Sequence, residues 1–120
     1  MKKYNTTLGD LFNTSQEITL NNITNLAFSR KGGLSVARNI KKINDELAEY
    51  IKERDKIILK YSSTGTINAQ SPNWEEVKKE LNEIGSVEVS IDLNVITEDD
   101  LPADITPAVC MAIEFMIEEE

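Results

Sequence analysis

Val36, Ile40, Ile43, Leu47, Tyr50 with Ile51, Ile57 with Ile58, and Tyr61 follow one another at spacings of three and four, broken only at Arg54. That period is one face of a helix running from about 35 to 61, roughly 40 Å long at 1.5 Å per residue. Its other faces pair Lys41 with Asp45, Lys42 with Glu46, Glu49 with Lys52 and Glu53 with Lys56, spacings that bring opposite charges together on a helix surface. Ser62-Ser63-Thr64-Gly65 is the stop. From Val87 to Val95 the period changes to two, with odd positions apolar and even positions polar, which predicts a half-buried strand over about 87–95. Between these elements Ser71-Pro72 opens a helix over about 72–84, with Glu75 and Glu76 in its first turn, Trp74, Val77, Leu81 and Ile84 on its apolar face and Gly85 as its stop. After the strand, Thr106-Pro107 caps a final helix over about 107–117. Its residues Val109, Met111, Ala112, Ile113, Phe115, Met116 and Ile117 are apolar almost all round, so it is expected to be buried on more than one side.

The first third of the chain is less regular. Thr7-Leu8-Gly9-Asp10 has the form of a capped helix start, with Leu8, Leu11 and Phe12 on one side. A second helical stretch is expected over 15–29 after a short break, although Asn21, Asn22 and Asn25 weaken it. Arg30-Lys31-Gly32-Gly33 reads as a loop, because paired glycines are costly inside a helix. The whole is expected to be one α+β domain, mostly helical, spanning 1–120, with 1–33 a basic helical segment and loop packed on 34–120. The predicted strand lacks a partner of equal length. The segments 17–20, 65–69 and 96–101 are the candidates within the chain, and another chain is the alternative.

Charge adds an asymmetry. The 120 residues carry a formal net charge of −8, yet residues 1–44 hold a balance of +5 and residues 45–120 one of −13. The overall sign disfavours general nucleic-acid binding, and the uneven spread points to a charged contact surface. The chain is 40% apolar, enough for one core. Its longest uncharged apolar stretch, 108–113, is far short of a membrane span, and no apolar leader segment is visible after Met1-Lys2-Lys3. The single cysteine, Cys110, permits no internal disulfide and fits a reducing cytoplasm.

The absence of histidine removes Ser-His-Asp and Cys-His arrangements and, with one cysteine, a structural zinc site within one chain. No phosphate-binding glycine motif is present and no cofactor is expected. Adjacent acids Glu98, Asp99 and Asp100 lack the spacing that surrounds a hard cation, so a solvated loop is expected there. Cys110 is expected to be a buried, inert thiol, and Trp74 to pack on the core. The one candidate contact site is Arg30, Lys31, Gly32 and Gly33 with Arg38. Glycines let a backbone approach an anion, a helix start offers free N–H groups, and three cations add attraction. The competing view is a plain connector.

Leu34-Ser35-Val36-Ala37-Arg38-Asn39-Ile40-Lys41-Lys42-Ile43, then Glu46-Leu47, Tyr50, Arg54 and Lys60-Tyr61, followed by Glu80-Leu81-Asn82, the alternating strand and the closing Thr106-Pro107-Ala108 helix, resemble a small uncharacterised protein type of phages and prophages of Gram-positive bacteria. The resemblance covers roughly 18–117, carries no catalytic signature and transfers no functional residue. It implies a phage origin. The expectation is therefore a non-enzymatic interaction protein, either a small virion or assembly component or a blocker of a host factor. It would work in the bacterial host cytoplasm, with a phage or host protein partner, as a homo-oligomer, without a membrane. The alternatives are sequestration of an anionic nucleotide-like small molecule at 30–33, and an enzyme using carboxylates alone at Glu98 to Asp100.

Overall fold

The computed structural model describes residues 1–62 and 70–118. The fold is α+β and mostly helical: strand β1 (Lys2–Thr7), helix α1 (Leu8–Leu20), helix α2 (Arg30–Tyr61), helix α3 (Trp74–Gly85), strand β2 (Glu88–Leu93) and helix α4 (Pro107–Ile113). Short 3-10 turns lie at Ile23–Asn25, Glu98–Asp100 and Glu114–Met116. The molecule measures 50 × 26 × 20 Å. The 32 residues of α2 set its long dimension, at about 48 Å.

The strand that lacked a partner has one at the far end of the chain. β1 pairs antiparallel with β2, from Lys2 opposite Leu93 to Thr7 opposite Glu88. The expected helical character of 1–33 is thus corrected for Lys2–Thr7. Only Tyr4 among its inward positions is large and apolar, so no alternation announces the strand. Of the three candidate partners, 17–20 is helical, Ile96 instead forms a parallel bridge with Ile117, and 65–69 lies outside the described residues. The turn Ser63 to Gly65 lies outside them as well.

Thr7 caps α1 as its sequence suggests, accepting the Asp10 N–H at 3.2 Å. That helix runs through to Leu20, so the expected break before 15 is absent. The break falls instead at Asn21-Asn22, where Asn22 takes a left-handed conformation at φ 53°. α3 starts two residues later than expected, at Trp74, with Ser71 and Pro72 in the preceding turn. β2 ends at Leu93 rather than 95, and the last helix becomes a 3-10 turn after Ile113. α4 is buried on one side only: Val109, Ala112 and Ile113 enter the core while Met111 remains 76% exposed.

The core lies between the inward face of the sheet and α1, α2 and α4. Leu11, Ile18, Ile43, Leu47, Leu93, Ile96, Ile113 and Met116 are all nearly or wholly withdrawn from solvent. Along α2 the buried positions are Gly32, Val36, Asn39, Ile43, Leu47 and Tyr50. Asn39, with no exposed surface, is the polar exception. Its side-chain amide donates to the Asn94 carbonyl and accepts the Asn94 N–H, both at 2.8 Å. One asparagine thus satisfies both backbone groups just past β2. Beyond Tyr50 the helix packs mainly on α3. There Arg54 lies 5.0 Å from the Phe12 ring centre and Lys60 reaches Glu80 at 3.1 Å. No helix among the described residues is long and apolar enough to cross a membrane.

Candidate functional site

The five residues singled out from sequence all lie on α2, and the loop expected at 30–33 is its first turn. Ser29 is the N-cap: its hydroxyl accepts the Gly32 N–H at 3.0 Å and donates to a carboxylate oxygen of Asp100 at 2.6 Å. The same Asp100 carboxylate accepts from the Thr97 N–H at 2.9 Å and the Thr97 hydroxyl at 3.0 Å, and the Asp100 carbonyl accepts the Ser29 N–H. These bonds, led by that from Ser29 and helped by the Lys31 charge, hold the Asp100 carboxyl below its ordinary pKa. The positive end of a long helix dipole favours the same charge. The acids 98–100 therefore form a turn that closes the end of α2. An incoming anion would meet the chain's own carboxylate there.

Gly32 serves this closure. A Cβ on Gly32 would stand 2.6 Å from the Asp100 Cβ, whereas one on Gly33 would meet only Phe28 at 3.9 Å. Two neighbouring glycines should then respond in opposite directions. Gly33→Ala is expected to stabilise by about 0.5–1 kcal/mol through helix propensity and unfolded-state entropy. Gly32→Ala is expected to destabilise by about 1–3 kcal/mol through overpacking. Urea unfolding of both variants checks this, and equal responses would count against the close contact.

Arg30, Lys31 and Arg38 are exposed. Lys31 and Arg38, seven residues apart, share a helix face with exposed Leu34 and Lys41, forming a short basic stripe. Arg30 lies about 80° round the helix from Arg38, so the three cations do not converge on one point. Among the described residues no group of three or more acids and thiols is arranged to hold a metal ion. Cys110 is half-buried, as is Trp74.

Sequence reasoning missed a second surface. The Leu8 N–H donates to the Val87 carbonyl at 2.9 Å, which fixes the phase of the ladder. Lys2, Tyr4 and Thr6 thus direct their backbone groups to β2, and Lys3 and Asn5 direct theirs away. Among the described residues no hydrogen bond reaches the outward groups of Lys3 or Asn5. The opposite edge differs. At its Asp92–Asn94 end α2 covers β2: Lys42 donates to the Asp92 carbonyl at 2.6 Å, and Asn39 takes both groups of Asn94. Beside β1 runs a groove of about 440 Å³ between α1 and α4, lined by Tyr4, Thr14, Glu17, Met111 and Phe115 among others and by no residue of β2. Tyr4 packs on Phe115 with ring centres 4.9 Å apart, and Met111 stands exposed at its side. The signal available in sequence was the β-favouring content of Tyr4, Thr6 and Thr7. No protein-family model, no curated protein and no solved structure matches this chain.

Proposed function

We propose that this is a phage-encoded protein that works by protein–protein contact and not by catalysis, as a small assembly component or as a blocker of a host factor in the bacterial cytoplasm. Its contact surface is the outward edge of β1 with the adjoining groove. The observation that supports this reading is that edge itself, whose Lys3 and Asn5 backbone groups have no partner among the described residues, set beside an exposed methionine. An extended segment laid along β1 gains main-chain hydrogen bonds from Lys3 and Asn5, and its alternate side chains enter the groove near Tyr4, Met111 and Phe115.

The test is recovery of partners from infected or lysogenic cells with tagged protein, compared with two variants. Asn5→Pro removes an N–H that points away from β2, a substitution that edge strands accommodate. Met111→Glu places a charge in the groove at a position already 76% exposed. Both should keep the parent's helical circular-dichroism spectrum, and both should lose the proteins it retains. If both variants retain the same proteins, the contact surface lies elsewhere, and the basic stripe of Lys31, Leu34, Arg38 and Lys41 is next.

A further inference from the structure

We infer that the chain occupying the β1 edge is a second copy of this protein, joined about a two-fold axis that passes between the two Tyr4 residues. The inference rests on the reading of that edge as the contact surface, and it follows from the hydrogen-bond phase and the charges on the strand. Two copies of β1 can pair antiparallel only with outward residues opposite outward residues, so Lys3 and Asn5 must face Met1, Lys3, Asn5 or Thr7 of the other copy.

Three registers give both Lys3 and Asn5 a partner. Centring the axis on Lys3 puts two ammonium groups directly opposite each other, which is destabilising. Centring it on Asn5 requires Thr7 to join the ladder, but Thr7 caps α1, and the carbonyl of a cap residue belongs to the first turn of its helix. Centring it on Tyr4 sets Lys3 opposite Asn5 in both directions and Lys2 opposite Thr6, so that no lysine faces a lysine. All outward groups of Lys3 and Asn5 are then used. The two Tyr4 rings meet on the inward face, each already stacked on its own Phe115, and the two Met111 side chains are drawn under the joined sheet.

The assembly closes at two. The product is a four-stranded sheet in the order β2-β1-β1-β2, which relieves the marginal size of a two-stranded one. Its outer edges are the β2 strands, each covered by α2 at its Asp92–Asn94 end, so a further copy cannot lie along the full strand. The contact is isologous, the same patch on both copies.

Light scattering of the purified chain at about 100 μM decides it, since a stable interface of standard size or larger survives that concentration. The expected result is twice the 13.5 kDa chain mass for the parent protein and the single mass for an Asn5→Pro variant that keeps the parent's helical circular-dichroism spectrum. A cysteine at position 4 reports the register. With Cys110→Ser in the background, Tyr4→Cys should cross-link on mild oxidation and Asn5→Cys should not. A monomeric parent whose cellular partners are nonetheless lost with Asn5→Pro would overturn the second copy while leaving the edge as the contact surface. A dimer that Asn5→Pro leaves intact would overturn this interface. Cross-linking through Asn5→Cys alone would overturn the Tyr4 axis.

Discussion

Replacing Asn39 by Leu is expected to destabilise the fold by about 2–5 kcal/mol, although leucine is close in volume and α2 is otherwise apolar on that side. The side chain is wholly buried and holds both the N–H and the C=O of Asn94 at 2.8 Å. Leucine leaves both groups buried without a partner, at about 1–3 kcal/mol each. Asn94 is half-buried and sits where the chain leaves β2 for the core residue Ile96, so a shift that exposed its backbone would pull Ile96 with it. Urea unfolding measures the loss. Lys42→Met supplies the comparison: it removes the bond to Asp92 at the same strand edge, but that bond is solvent-exposed, and the variant should lose under about 1 kcal/mol. Equal small losses for the two variants would show that water satisfies Asn94.

Leu47→Ala is expected to cost a similar amount, about 2–5 kcal/mol, for a different reason. Leu47 is 1% exposed, between Ile43 at 1% and Tyr50 at 8%, midway along α2. Deleting its branched end removes apolar burial and leaves a void that neighbours on several elements cannot jointly fill. The same substitution at Leu59, 60% exposed on the same helix, should change stability by less than about 0.5 kcal/mol. A loss below about 1 kcal/mol at Leu47 would place this stretch of the helix outside the cooperative core.

Those two positions also mark what the sequence could and could not say. Leu47 was legible because helical spacing is a local property, and Val36, Ile43 and Tyr50 share its face. The alternation at Val89, Ile91 and Leu93 and the cap at Thr106 were legible on the same ground, the latter accepting the Val109 N–H at 3.3 Å. Asn39 falls three residues after Val36 and four before Ile43, so its polarity on a buried face was visible in the spacing. Its partner, 55 positions away, was not.

The misread beginning of α2 has the same cause. Two glycines signal a break when only neighbours are considered. What keeps Gly32 in a helix is Asp100, which leaves no room for a Cβ and bonds the cap at Ser29. A carboxylate of the chain itself thereby closes the helix end to which the basic residues had drawn attention. The β1 edge was hidden for a further reason. Lys2-Lys3-Tyr4-Asn5 offers little apolar content, and its importance arises only from pairing with a strand near the other end of the chain.

That pairing joins residues 81 to 91 positions apart, and the Ser29–Asp100 clip joins residues 71 apart. During synthesis at roughly 5–20 residues per second, β1 waits about 4–16 s for β2 to be made, while α1 and α2 already have the residues they need. Closing the sheet, and not winding the helices, is therefore expected to be the slow step in reaching the native fold. Through that interval both edges of β1 are open, and Lys2 and Lys3 protect it, since charge on an unpaired strand discourages annealing to other nascent chains.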